Sequence, residues 1–79
     1  MDEQQLKKVV SNILDIQVSE VNDQSSMKTV TNWDSLRHIQ LIAAIEEEFK
    51  ITFSMEDMTA MINYPIISQK VSELTGKIP

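Results

Sequence analysis

The sequence predicts an all-α protein: a four-helix bundle with one short helix and a long first loop, formed by a single domain over residues 1–79. Two stretches repeat apolar residues at intervals of three and four, the spacing of one buried helical face. Residues that favour turns and helix ends separate the predicted helices. Hydrophobic residues make up 42% of the chain, which is enough for one compact core.

The first helix is predicted over residues 2–15, with Asp2 as its N-terminal cap. Its apolar residues follow the helical spacing without a break: Leu6, Val9, Val10, Ile13 and Leu14. Residues 16–30 then form a long connection rich in serine, asparagine and aspartate. We expect its apolar side chains to hold it against the bundle; these are Ile16, Val18, Val21, Met27 and Val30.

The central helix follows this loop and carries a serine, Ser35, in its first turn. Thr31 or Asp34 can cap its start, since a side-chain oxygen there accepts a bond from a free backbone N–H. One helical face is apolar and is predicted to be buried: His38, Leu41, Ile42, Ile45 and Phe49. A weaker stripe lies beside it, made of Leu36, Ile39 and Ala43, so this helix can contact a partner as well as the core.

Two further helices are predicted after the extended residues 50–53, whose Ile51 and Phe53 are expected to turn inward. Ser54 and Asp57 have the spacing of a capping box, which starts a short helix from Met55 to about Met61. Its apolar surface is assigned to Met55, Met58, Met61 and Ile62. The last helix starts at Asn63-Tyr64-Pro65 and stops at Gly76, with Ile67, Val71 and Leu74 on one face.

Composition and charge exclude several classes of function. The net charge is −5, which argues against nucleic acid as a partner and suits basic protein surfaces. The chain has no cysteine, hence no disulfide and no thiolate metal site. It has neither the start of a signal peptide nor an apolar run long enough to cross a bilayer, so we expect a cytoplasmic monomer without stable membrane insertion.

Asp34-Ser35-Leu36, followed by an amphipathic helix that ends Glu46-Glu47-Glu48-Phe49, resembles the signature of acyl carrier proteins and their aminoacyl and peptidyl relatives. The resemblance extends over essentially the whole chain in length and helix order. It implies that Ser35 receives 4′-phosphopantetheine from coenzyme A in a separate phosphopantetheinyl transferase. Asp34 would help that transferase to place the serine and the transferase's own metal ion. The arm would hold acyl intermediates as thioesters and present them to loading and processing enzymes.

The resemblance also implies a recognition surface on the central helix. Its candidate residues are Leu36, Ile39, Ala43, Glu46 and Glu47. The match departs from typical fatty-acid carriers at Asn32-Trp33 before the motif, and at Arg37 and Gln40 after it. The recognition face is therefore less acidic than in housekeeping fatty-acid carriers, which favours a stand-alone carrier for a specialised pathway. The resemblance as a whole implies fatty-acid, polyketide or other specialised biosynthesis. Trp33 either covers the base of the arm or packs against the loop.

Three other hypotheses remain beside the acyl carrier. An aminoacyl or peptidyl carrier would be loaded by an adenylating enzyme, and a plain helical interaction module would never be modified at Ser35. A hydrolase would use His38, three residues from Ser35, but the chain lacks the glycine-rich elbow such a nucleophile needs. We therefore predict no enzyme, no catalytic residue and no metal site.

A further hypothesis concerns the cargo of the carrier. An acyl chain could be sheltered among apolar residues of the bundle: Leu41, Ile45, Met55, Met58, Met61 and Ile62.

Overall fold

The computed structural model describes residues 2–76, and it confirms the four predicted helices with the short one in third place. Their bounds are Glu3–Leu14 (α1), Ser35–Phe49 (α2), Met55–Ala60 (α3) and Tyr64–Thr75 (α4). A single 3₁₀ turn, Val18–Glu20, interrupts the long loop between α1 and α2. Over residues 2–76 there is no β-strand, only an isolated bridge that pairs Ser26 with Asn63.

A side chain from the residue just before each α-helix caps its start, as expected for Asp2 and Ser54. Asp34, not Thr31, caps α2 by accepting a bond of 2.8 Å from the Arg37 backbone N–H. The capping box of Ser54 and Asp57 is present on α3. These caps are local interactions, which is why the sequence signals for them were sufficient.

Three of the four helices end at a residue in the left-handed conformation. These are Asp15 (φ 56°) after α1, Lys50 (φ 57°) after α2 and Gly76 (φ 75°) after α4. The residue after α3, Met61, has φ −86° and gives no such ending. The turn after α3 still bonds two of its last carbonyls, since the Met61 N–H donates to Asp57 and the Ile62 N–H donates to Ala60.

The helices enclose one core, which joins α1, α2 and α4 with the loop residues that cross between them. Its buried hydrophobic members are Leu6, Val10, Leu14, Val21, Trp33, Leu41, Ile42, Ile45, Phe53, Met61, Tyr64, Ile67 and Val71. The apolar residues of the first loop are buried or half-buried, as expected. Helices α1 and α2 run antiparallel, since Gln5 bonds Glu48 at one end and Arg37 bonds the Ile13 carbonyl at the other.

Two details of the predicted core are wrong. Leu74 is 42% exposed, because the inward face of α4 continues from Ile67 and Val71 to Thr75 in steps of four residues. Met55 is 81% exposed because it is the first residue of α3, and Ile62, beyond the end of α3, is also exposed. Met61 is fully buried and Met58 half-buried, so α3 packs inward through its C-terminal half.

Candidate functional site

Ser35 is the first residue of α2 and is exposed. Backbone N–H groups in a first helical turn have no partner within the helix, and the helix dipole places partial positive charge there. The Asp34 carboxylate accepts a hydrogen bond from one of these groups, the Arg37 N–H. No described residue hydrogen-bonds the Ser35 hydroxyl. The structure thus presents a free hydroxyl on a capped helix end, an environment that favours an attached phosphate.

An apolar rim, defined as Leu36, Ile39 and Ala43, continues from Ser35 along the exposed side of α2. Leu36 is 64% exposed and Ile39 58% exposed, and Ala43 is also exposed. The three residues are spaced at i, i+3 and i+7, so they share one helical face. Exposed apolar side chains on one helical face form a candidate contact surface for a partner protein.

The acidic end of α2 divides into residues with different surroundings. Glu47 is exposed, whereas Glu46 is half-buried and accepts a bond of 2.8 Å from the Phe53 backbone N–H. Glu48 accepts a bond of 2.6 Å from the Gln5 side-chain amide. The three carboxylates therefore point to different neighbours. Across residues 2–76 no group of three or more histidine, cysteine or acidic side chains is placed to hold a metal ion.

His38 does not pair with Ser35. Its Nδ1 lies 3.1 Å from Nε1 of Trp33, and its Nε2 lies 2.7 Å from the carbonyl oxygen of Met58 on α3. Both ring nitrogens are thus engaged, and neither is available to take a proton from the serine. The sequence predicted His38 on the buried face of α2, and the structure places it there half-buried.

Trp33 lies in the core with 2% exposure, so it packs inward and does not cover the surface beside Ser35. Its ring centroid is 6.1 Å from that of His38, at an interplanar angle of 32°. The sequence indicated this packing role only as the better of two alternatives. The hydrogen bond that joins it to His38 had no sequence signal, since it depends on how the loop enters α2.

Two of the polar residues that depart from the carrier motif, Asn32 and Arg37, hold the Ser35 end of α2 to α1. Asn32 donates its side-chain amide to the Leu14 carbonyl at 2.9 Å, and the Arg37 guanidinium donates to the Ile13 carbonyl at 2.5 Å. Both acceptors belong to the last turn of α1, where carbonyls lack helical partners. Arg37 therefore has a structural role that the sequence did not predict.

The residues with shifted pKa values lie away from Ser35. The Ser54 backbone N–H, with Lys70 beside it, lowers the pKa of the Asp57 carboxyl on α3. Burial, together with the nearby Glu3 carboxylate, raises the pKa of Tyr64 to about 12. The Tyr64 hydroxyl is buried and no described residue bonds it.

Four clefts on the described surface are lined by other segments, and none of them includes Ser35 or Asp34. An exposed hydroxyl outside these clefts can enter the active site of another protein. No helix within residues 2–76 combines the length and apolar character needed to cross a membrane.

Comparison with known proteins gives three concordant findings. A family model described as "Phosphopantetheine attachment site" matches residues 4–65. The polyketide-8 synthase acyl carrier protein 1 of Streptomyces avermitilis is 36% identical over 70 residues, which is 89% of this chain and 83% of that protein. An acyl carrier protein of Buchnera aphidicola is 44% identical over 55 residues, which is 70% of each protein.

The fold has a solved counterpart as well. The solution NMR structure of a holo acyl carrier protein from Geobacter metallireducens superposes with a TM-score of 0.81. The match covers 91% of this chain and 83% of that one, at 22% sequence identity. At this identity the likeness establishes the shared fold.

Proposed function

Because the chain belongs to the phosphopantetheine attachment-site family, we propose that Ser35 is the residue that bears the arm. The protein is a carrier that tethers acyl intermediates, and its prosthetic group is 4′-phosphopantetheine. The observation that supports Ser35 is its position: an exposed hydroxyl at the first residue of a capped helix, inside the matched segment.

The attachment reaction takes place in a separate transferase. The Ser35 oxygen attacks the phosphorus that bears the pantetheine, and the phosphoanhydride bond of coenzyme A breaks. The adenosine bisphosphate leaves, and the hydroxyl proton passes to a base of the transferase. The product is a phosphodiester whose negative charge lies at the N-terminus of α2, where the helix dipole stabilises it.

This chain's own part is positioning. Asp34 fixes the first turn of α2 through the Arg37 N–H, and in the transferase it would help to place the serine and the transferase's metal ion. The arm then raises the local concentration of its cargo at each partner enzyme. The engagement of both His38 ring nitrogens supports a carrier without catalysis of its own.

The partners we propose are a phosphopantetheinyl transferase and the enzymes that load and process the acyl group. The apolar rim of Leu36, Ile39 and Ala43 would supply buried contact area, and the exposed Glu47 would meet basic side chains. Glu46 can add charge to this surface while it remains bonded to Phe53. Both relatives named above are called acyl carriers, which favours an acyl over an aminoacyl cargo. Fatty-acid or polyketide biosynthesis in the cytoplasm, where coenzyme A is available, is the setting we propose.

Intact mass spectrometry tests the assignment directly. The protein is incubated with coenzyme A, Mg²⁺ and a promiscuous phosphopantetheinyl transferase, and we expect a gain of one phosphopantetheine group. Ser35→Ala should gain nothing, while Ser54→Ala, which removes a serine at the start of another helix, should gain the group as the parent does. A folded parent that stays unmodified, even with a transferase from the same source, would leave the plain interaction module as the better description.

A further inference from the structure

The hydrogen bonds of His38 determine which of its ring nitrogens carries the proton. An indole N–H can only donate, so the Nδ1 atom 3.1 Å from Trp33 Nε1 must be the acceptor. The proton of the neutral ring is therefore on Nε2, where it is donated to the Met58 carbonyl at 2.7 Å. We call these three groups, the Trp33 indole, the His38 imidazole and the Met58 carbonyl, the histidine bridge.

On the α3 side, the histidine bridge gives the Met58 carbonyl a hydrogen-bond donor that the backbone does not supply. The Met58 carbonyl lies in the last turn of α3, where carbonyls have no partner within the helix. The N–H groups of Met61 and Ile62, which could reach it, bond Asp57 and Ala60 instead. The helix has six residues and lacks a left-handed ending, so the Nε2–H of His38 acts as its C-terminal cap.

On the Trp33 side, the histidine bridge depends on the neutral state of the ring. Protonation places a hydrogen on Nδ1, which then faces the hydrogen on Trp33 Nε1, and two donors cannot bond each other. The same protonation strengthens the bond to Met58, because a charged donor binds more tightly and a cation is favoured at a helix C-terminus. The two sides of the ring thus respond to acid in opposite directions.

Charged residues occur on each element next to the ring. On α2 and its cap they are Asp34 and Arg37 at the start and Glu46, Glu47 and Glu48 at the far end. The Asp34 carboxylate accepts from the Arg37 backbone N–H, and the Arg37 guanidinium donates to α1. On α3 they are Glu56 and Asp57, of which Asp57 forms an ion pair of 3.3 Å with Lys70. Asp15 ends α1 on the same side of the bundle as Arg37. Neither of the two groups hydrogen-bonded to the ring is titratable, so only protonation of His38 itself can change these two hydrogen bonds.

We propose that His38 is a positioning residue that connects the entry to Ser35 with α3, and that protonation of its ring releases Trp33 while it keeps α3 capped. In the neutral state, Trp33 is fixed two residues before Ser35 and holds the loop against the start of α2. In the protonated state, this loop loses a hydrogen bond, and α3 does not. The proposal concerns the unmodified chain and stands or falls apart from the attachment at Ser35.

The chain itself supplies the probes, since Trp33 is its single tryptophan and His38 its single histidine. We would follow both rings by NMR in the unmodified protein from about pH 8 to about pH 5, where histidines change charge. The Trp33 indole N–H should exchange about tenfold faster in acid than its intrinsic rate change explains, the ratio expected for loss of one hydrogen bond. The midpoint should coincide with that of the His38 ring, and amide protection in α3 should not fall over the same range.

Two variants separate this proposal from a purely structural role. His38→Gln can still donate to the Met58 carbonyl but cannot change charge, so it should keep α3 protected and abolish the pH step at Trp33. Ser35→Ala should keep the step unchanged, because the hydroxyl takes no part in the bridge. A Trp33 signal that stays flat while His38 titrates would overturn the proposal. Loss of α3 protection at the His38 midpoint would overturn it as well, and so would a pH step that survives in His38→Gln.

Discussion

The two ends of α2 are held in different ways. At the Ser35 end, side chains bond backbone carbonyls of other elements: Asn32 reaches Leu14 across 18 residues, and Arg37 reaches Ile13 across 24 residues. His38 reaches Met58 across 20 residues. At the glutamate end, Glu46 bonds Phe53 only 7 residues away, and the other side-chain contact, Gln5 to Glu48, is a hydrogen bond at the exposed surface.

This difference shows that a residue can be exposed to solvent while its neighbours in the helix are bonded to other elements. Ser35 and the apolar rim face solvent, yet the residues between them are bonded to α1 and α3. Half-buried bonds to backbone carbonyls cost more to break than exposed side-chain pairs, because the freed groups do not regain water easily. With the arm on Ser35, as we propose, this arrangement would keep the base of the arm in one place for partner enzymes.

The largest effect is expected from removing the buried indole. Trp33→Ala deletes a fully buried aromatic side chain and both its packing and its bond to His38. We expect a loss of about 3 to 5 kcal/mol in the free energy of unfolding, typical of such truncations. Urea unfolding followed by circular dichroism measures this. A loss below about 1 kcal/mol, within the range of surface substitutions, would contradict a rigid Ser35 end.

An intermediate effect is expected at Arg37. Arg37→Met keeps most of the side-chain stem but leaves the Ile13 carbonyl without its donor, which should cost about 1 to 2 kcal/mol of unfolding free energy. The matched change at the other end is Glu48→Gln, which weakens only an exposed contact and should cost less than about 0.5 kcal/mol. Equal losses in the two variants, measured by urea unfolding, would remove the contrast between the ends.

A smaller effect is expected within the glutamate end. Glu46→Ala removes the acceptor of the Phe53 N–H and should cost about 1 kcal/mol of unfolding free energy, whereas Glu47→Ala should stay within about 0.5 kcal/mol. In a loading assay with a partner enzyme, the order should reverse, because Glu47 is the more exposed carboxylate. Thermal unfolding and loading rates of the two variants together check this, and a shared order in both assays would count against it.

The smallest effect is expected on the loss of folding stability at strongly acidic pH. The bond from the Ser54 N–H, helped by Lys70, holds the pKa of Asp57 below its usual value of 3.8. A lowered pKa means that the stabilisation is complete above that usual value and disappears as the pH falls through the folded pKa. Asp57→Asn should therefore flatten the loss of stability at strongly acidic pH. Acid unfolding monitored by circular dichroism tests this, and an unchanged acid limb would refute it.

What the sequence predicted well was local. Periodicity predicted α1 to within a residue at each end, and the caps at Asp2 and Ser54 followed from residues next to them in the chain. Leu74 shows the limit of such patterns, because a helix of 12 residues has two possible inward faces and packing selects one. The choice between Thr31 and Asp34 as the cap was likewise settled by where the loop ends.

What the sequence could not show was the framework beneath the site. Asn32, Arg37 and His38 each bond a carbonyl at least 18 residues away. Every residue has a backbone carbonyl that can accept a hydrogen bond. The sequence therefore does not indicate which carbonyl a distant side chain will bond. The motif around Ser35 indicated a candidate attachment site, and only the three-dimensional packing showed which contacts hold this end of α2.

The left-handed turn at Asp15 has a consequence for the order of assembly. By ending α1, it leaves the carbonyls of Ile13 and Leu14 open, and Arg37 and Asn32 bond to these two carbonyls. The serine end of α2 therefore cannot reach its final arrangement until α1 has both formed and stopped. Closing a loop of this length costs entropy before the contacts return any stabilisation. We expect the attachment site to be among the last parts of the molecule to become ordered during folding.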